Sequence, residues 1–338
     1  MAEPITFDEE QNLGSRGGAL AYVEYLLTRA ALGGVSRLPH GVQAAVVGGL
    51  ARLAMRLDRS HTQGARRFMA QALGPEAASD DRRILAAYRH LFRMSIDAEA
   101  FDRRVPQSRI LEHFEVEADE ETLEAMRAGE GGIMVTPHVG DWEAGSAVLP
   151  HLGMRPMHVV ARPPKNRYLS RHLLRVRERR QVTVMPRRGG MGQSAAILES
   201  GGWMAMLLDQ RPRGKHVVAP FFGRPVPCER SAAVLMKRLG VPIYFGSCFL
   251  TERPFHYRVV FPRRLGAAEL AELSVEEIVT LVNQEQEKLI LRHPEQYFWL
   301  HDRYRDAPPQ AESEAQVPAG AQSGPEGAGA PSPGGSGR

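Results

Sequence analysis

The stretch Gly132-Ile133-Met134-Val135-Thr136-Pro137-His138-Val139-Gly140-Asp141-Trp142-Glu143 decides how the chain reads. Its first five residues are mostly apolar, as a short strand buried on both faces requires. Pro137 disfavours helix at Thr136, and Gly140 permits a sharp turn. Residues 141–149 then read as a helix. His138 therefore falls in a strand-to-helix turn, just beyond the carboxyl end of a strand, where ligands of α/β sheets usually sit.

Working outward, strands are predicted over residues 132–136, 157–161, 182–185, 203–208, 242–250 and 256–261. Helices are predicted over 166–180, 192–199, 231–239 and 275–292, with a long loop after residue 208. Strands alternating with helices over 129–305 predict an α/β core, a mixed, largely parallel sheet covered by helices. Upstream, residues 17–128 read as helical throughout, and residues 1–16 as a flexible N-terminus. Residues 306–338 hold almost only Ala, Pro, Gly, Ser, Gln and Glu. Such a segment buries too little apolar surface to offset its ordering entropy, which predicts a disordered tail.

Within the helical zone, Leu20, Val23, Leu26 and Leu27 recur at three- and four-residue spacing. A break at Leu38-Pro39-His40 is followed by Val42, Val46, Leu50, Leu53 and Met55, with Arg52, Arg56 and Arg59 at the end. Two apolar helices with basic ends suit a membrane-proximal, interfacial anchor; two buried core helices would read similarly. No stretch reaches the roughly 18–20 apolar residues of a spanning helix. The acidic start, residues 1–10, does not have the form of a secretory signal.

The formal net charge is +4, carried mostly by arginine, since only four lysines occur. Ten basic side chains lie between 161 and 190, against the single acid Glu178. Arg167, Arg171 and Arg175 share one helix face, and their mutual repulsion points to an anionic counterpart such as a lipid headgroup. No nucleic-acid motif accompanies them. Cys228 and Cys248 have no metal or disulfide spacing. There is no H-E-x-x-H and no G-x-S-x-G elbow, so neither a metalloenzyme nor a hydrolase acting through a serine such as Ser146 is signalled.

A histidine in the turn can take a proton from an attacking hydroxyl, and a carboxylate on its other ring nitrogen would fix the tautomer. Asp141 at +3 and Glu143 at +5 are both near in the chain, and the residues alone leave both open.

Five blocks in order resemble the bacterial lipid A biosynthesis (lauroyl/myristoyl) acyltransferase family. That family lies within the lysophospholipid acyltransferase superfamily and its HX4D/E motif. The blocks are Thr136 to Glu143; Ala161-Arg162-Pro163 with Asn166; Leu208-Asp209-Gln210; Pro220-Phe221-Phe222-Gly223; and His293 to His301 with Arg303. The resemblance covers residues 18–305. It implies transfer of an acyl chain from acyl carrier protein or coenzyme A, without cofactor or metal. The acceptor would be a hydroxyl of an anionic lipid or glycolipid, such as a lipid A precursor. It implies a peripheral or monotopic place at the cytoplasmic face of the bacterial inner membrane.

The resemblance puts the catalytic pair on His138 and Glu143, with Gly140 and Asp141 in support. It puts substrate contacts on Arg162, Asn166, Asp209 and Gln210. Arg167 and Arg171 are expected to meet the anionic group, and Phe222 and Gly223 to line an acyl channel. The Arg-interrupted N-terminal helices depart from the family's usual membrane helix. A phosphatidylinositol-mannoside-type acyltransferase and a lipid-binding scaffold with a degenerate site are the alternatives.

Overall fold

Five helices precede the first strand in the computed structural model, which describes residues 13–185, 190–212, 214–305 and 307. Most of the expected flexible N-terminus, Arg187 and Arg188 of the basic run, and the expected disordered tail beyond Ala307 lie outside the described residues. The helices are α1 (Ala19–Val35), α2 (His40–Leu57), α3 (Arg59–Leu73), the short α4 (Pro75–Ser79) and α5 (Asp81–Arg104). Then follow β1 (Phe114–Ala118), α6 (Glu120–Ala128), β2 (Gly132–Thr136), α7 (Trp142–Val148), β3 (Met157–Val160), α8 (Arg167–Arg179), β4 (Val182–Met185), α9 (Gly190–Glu199) and β5 (Trp203–Leu207). The chain continues through β6 (His216–Phe221), β7 (Arg224–Glu229), α10 (Ser231–Leu239), β8 (Ile243–Leu250), β9 (Tyr257–Leu265), α11 (Ala267–Ala271) and α12 (Val275–Arg292).

Seven strands form one sheet in the order β1-β9-β8-β2-β5-β3-β4. Every neighbouring pair is parallel except β8 with β9. The expected α/β architecture is present. β2 is the central strand and is buried on both sides. Ile133 and Val135 join the core cluster that includes α10 and α12, while Met134 joins the cluster that includes α7. That two-sided burial is why β2 reads as an unbroken apolar run.

Two elements differ from expectation. Residues 17–128 contain β1, which pairs with β9 at the sheet edge. Its alternation of Phe114, Val116 and Ala118 with Glu115 and Glu117 is a strand period. The loop expected after residue 208 contains the antiparallel ribbon β6–β7, a separate two-stranded sheet. Pro220, Pro225 and Pro227 lie within it, and prolines are tolerated there because each strand has a free edge.

The topology also locates a crevice. From β2 the chain crosses by α7 to β3, on one side; from β5 it runs by β6, β7 and α10 to β8, on the other. The order reverses between the adjacent strands β2 and β5. Their carboxyl ends form the switch point at which such sheets bind ligands.

Candidate active site

Thr136 of β2 and Leu207 of β5 are register partners. Two residues beyond each partner stand His138 and Asp209, so the parallel register brings an imidazole and a carboxylate together from positions distant in the chain. Asp209 Oδ1 accepts from His138 Nδ1 at 2.7 Å, and Asp209 Oδ2 accepts from the His138 backbone N–H at 2.9 Å. Tyr297 Oη donates to the same Oδ2 at 3.0 Å. Burial pushes the Asp209 carboxyl up, but the charge and hydrogen bonds of His138, with the Tyr297 bond, outweigh it and hold it below the ordinary carboxylate value. In the neutral ring the proton therefore sits on Nδ1, and Nε2 carries the lone pair. Gln210 Nε2 lies 3.3 Å from that Nε2.

The turn that carries His138 is fixed from three directions. Phe298 N–H donates to His138 O at 3.0 Å, and Gly140 N–H to Gln296 O at 3.0 Å. Asp141 N–H donates to Cys248 O at 2.7 Å. From α5, His90 Nε2 donates to Gly140 O at 2.9 Å; burial holds the His90 ring down at about 4, so it is a neutral donor. Gly140 has φ +67°, and a Cβ there would lie 2.0 Å from Cys248 O, so this position requires glycine. Asp141 caps α7 by accepting from Ala144 N–H at 2.9 Å. It is fully buried, and burial pushes its carboxyl up to about 7.

Glu143 faces another way. In the first turn of α7, it pairs with Arg177 of α8, which donates from Nη2 and, at 3.3 Å, from Nε. Burial acts to raise the Glu143 carboxyl, and the Arg177 charge overcomes it and holds it below the ordinary range. The carboxylate on the imidazole is thus that of Asp209, not the Glu143 expected from the family resemblance. The reason is local: α7 begins at Trp142, and its first turn points Glu143 toward α8 rather than back toward the ring.

His138, Glu143, Arg177, Arg162 and Gln210 all line one cavity of about 750 Å³. Its apolar wall, on the α7 side of the sheet, includes Met134, Gly145, Leu149, Val159, Ala205 and Val259. That size and mixture are those of a small-molecule pocket. His301 also lines it, with Nε2 accepting from Arg211 N–H at 3.3 Å; burial, then the Arg211 charge, lowers its ring to about 4. Among the described residues, no three His, Cys, Asp or Glu side chains are grouped to hold a metal ion.

Other expected contacts lie elsewhere. Asn166 is buried, caps α8 through Tyr168 N–H and Leu169 N–H, and donates to Ala21 O at 2.8 Å. Its hydrogen-bonding capacity is used in joining α1 to α8. Arg167 and Arg171 do not line the cavity. Phe222 is not on the apolar wall of the cavity. It has φ +47° in the turn between β6 and β7, with Gly223 beside it at φ +72°. That turn packs the Phe222 ring against Phe68 and Trp299, and its N–H donates to Glu287 at 2.7 Å. Tyr297, Arg177 and His301 are residues of the site that the sequence did not mark for it; Arg177 lay within the basic run and His301 within the last block. Tyr297, too, was signalled by its place in that block.

A second surface lies on α1 and α2. Leu20 is 87% exposed and Leu57 73%, and Val23, Leu26, Leu27, Val42, Leu50 and Leu53 are also exposed. Arg52 and Arg56 stand out from the same helix. Among the described residues, no helix is long and apolar enough to cross a membrane. The segment just before α1 is strapped beside the Arg162 loop: Arg16 N–H donates to Lys165 O at 2.8 Å, Arg167 N–H to Arg16 O at 2.9 Å, and Gly14 N–H to Ser170 Oγ at 2.8 Å.

Comparison with known proteins gives a consistent result. The family profile described as bacterial lipid A biosynthesis acyltransferase matches residues 18–306. A lipid A biosynthesis palmitoleoyltransferase of Escherichia coli (strain K12) is 25% identical over 206 residues, 60% of this chain and 65% of the relative. The matched region is thus just under two thirds of that relative's length. A phosphatidylinositol mannoside acyltransferase of Mycolicibacterium smegmatis is 29% identical over 229 residues, 64% of this chain and 71% of the relative.

Proposed function

Because this chain belongs to the bacterial lipid A biosynthesis acyltransferase family, we propose that it moves a fatty acyl chain from a thioester donor to a hydroxyl of an anionic lipid or glycolipid. The donor is acyl carrier protein or coenzyme A carrying the chain. The acceptor resembles a lipid A precursor or a mannosylated phosphatidylinositol. The observation that carries this reading is a His138 imidazole whose tautomer is set by buried Asp209 and which lines a cavity with an apolar wall.

In the proposed reaction the acceptor oxygen attacks the thioester carbonyl carbon while its proton passes to His138 Nε2. Asp209 stabilises the imidazolium so formed. The tetrahedral intermediate collapses, the C–S bond breaks, and the leaving sulfur takes the proton from Nε2. General-base assistance of this kind is worth about 10²–10⁴-fold. Glu143 holds the Arg177 guanidinium in the cavity wall, and with Arg162 that cation receives the negative charge of donor or acceptor. The acyl chain lies along Met134, Leu149, Val159, Ala205 and Val259. The exposed apolar face of α1 and α2 rests on the bilayer at the cytoplasmic side, as an interfacial anchor with arginines at the headgroups.

The test is direct. Purified protein is incubated with radiolabelled palmitoyl-CoA or palmitoyl-acyl carrier protein, and with lipid A precursor or phosphatidylinositol mannoside in vesicles. Labelled acyl lipid is expected from the wild type and not from His138→Ala. Absence of product from the wild type with every donor and acceptor pair would sink the proposal.

A further inference from the structure

His138 Nε2 is the atom that takes the hydroxyl proton, and the side chain standing on it is Gln210, at 3.3 Å. The Asp209 bond keeps the proton on Nδ1, so Nε2 can only accept, and the group facing it must donate. Gln210 therefore meets the ring with its amide N–H. The residues to either side of Gln210 are tied down. Asp209 is held by His138 and Tyr297, and Arg211 N–H is bonded to His301. The half-buried side chain of Gln210 is the part left to move.

A neutral imidazole has one lone pair to offer. While the Gln210 N–H occupies it, a water molecule must displace that hydrogen bond before it can be deprotonated. An acceptor hydroxyl must do the same, but it arrives held by contacts along the rest of its lipid, so the displacement is intramolecular and entropically easy. Water has no such contacts. We infer that Gln210 guards the catalytic base, suppressing hydrolysis of the bound thioester until an acceptor hydroxyl displaces it. The reaction it suppresses is balanced: water adds its oxygen to the carbonyl carbon, the C–S bond breaks, and free fatty acid and thiol leave. This inference rests on the reading of His138 as general base. A net hydrogen bond of this kind corresponds to a roughly two- to tenfold effect.

The experiment measures two products from radiolabelled palmitoyl-CoA or palmitoyl-acyl carrier protein: free palmitate without acceptor, and acylated lipid with lipid A precursor or phosphatidylinositol mannoside. Gln210→Ala is expected to raise the ratio of hydrolysis to transfer about two- to tenfold; a merely structural glutamine would lower both rates in parallel. Gln210→Glu sets a carboxylate against Nε2, favours the imidazolium, and is expected to move the acid limb of both rate profiles to higher pH. Thermal melting of both variants checks the fold. If His138→Ala is inactive but Gln210→Ala leaves the ratio unchanged, and Gln210→Glu leaves the profile unshifted, the guard is overturned and the acyltransfer reading stands. If His138→Ala keeps wild-type transfer, His138 is not the base and both fall.

Discussion

Asp209 and Glu143 are two acids beside one cavity, and they are held in opposite ways. Asp209 sits past the end of β5 and is bonded to the imidazole, to a backbone N–H and to the Tyr297 hydroxyl. Glu143 sits in the first turn of α7 and is bonded to a guanidinium from α8. One carboxylate is fixed by strand register, the other by helix packing. Both remain ionised against burial, but for different partners: Asp209 for an imidazole, a side chain able to change charge, and Glu143 for an arginine, which is not. In the proposed reaction this difference gives Asp209 the task of orienting the base and Glu143 that of placing a cation in the wall.

Substitution of each acid is the sharpest way to break that contrast. Asp209→Asn removes the charge that stabilises the imidazolium and presents an amide able to select the wrong tautomer. Its kcat is expected to fall about 10²–10⁴-fold with KM within about twofold. Glu143→Gln leaves Arg177 without its counter-charge, so binding suffers along with turnover. A roughly 10–100-fold loss in kcat/KM, carried substantially by KM, is expected. Steady-state kinetics on the two variants decide the matter. A fall in kcat for Glu143→Gln as deep as that for Asp209→Asn, at unchanged KM, would return Glu143 to the catalytic pair.

The same contrast explains what could be read in advance. The apolar run of β2, the helix Val275–Arg292 and the turn around Gly140 follow from local pattern, because each is dictated by neighbours in the chain. Glu143 was conspicuous for the same reason, lying five residues from His138. Contact with the ring, however, is made by a residue 71 positions away. That contact depends on β5 lying next to β2, which no local period encodes. Phe222 misled in the converse way: an aromatic pair looks like a channel wall, but the positive φ of the β6–β7 turn directs it into the packing around Phe68. Tyr297 carries no local sign of its role: its ring is buried in the core, and its hydroxyl reaches Asp209 only because the chain folds the last block against the end of β5.

A third carboxylate, Asp141, behaves unlike either. Among the described residues no cationic side chain is bonded to it, and burial lifts its folded value from 3.8 to about 7. A raised acid favours folding while it is protonated in the folded state, fully so below its unfolded value. That contribution is lost as pH climbs from about 4 through about 7. Asp141→Asn keeps a capping oxygen and cannot ionise. Denaturant melts across this window should show the wild type losing stability relative to Asp141→Asn as pH rises, by an amount on the order of a few kcal/mol. Parallel curves for the two proteins would mean that Asp141 stays ionised, and that the turn tolerates a second buried anion beside Glu143.

The smallest effect tests the finest part of the contrast. Asp209 differs from Glu143 in accepting a hydroxyl as well as a charged or chargeable partner, and Tyr297→Phe removes that hydroxyl while leaving the ring against Phe68 and Trp299. Two consequences follow from one lost bond. Asp209 Oδ2 keeps the His138 backbone N–H, so the imidazole stays in place, and KM should not change. The carboxylate loses one of the donors that hold its pKa down, so it orients the ring less firmly. A drop in kcat of about three- to tenfold is expected, well short of that for Asp209→Asn. A drop equal to that for Asp209→Asn would mean that the hydroxyl, rather than the strand register, holds Asp209 against the ring; no drop would leave the His138 backbone bond and the register sufficient by themselves.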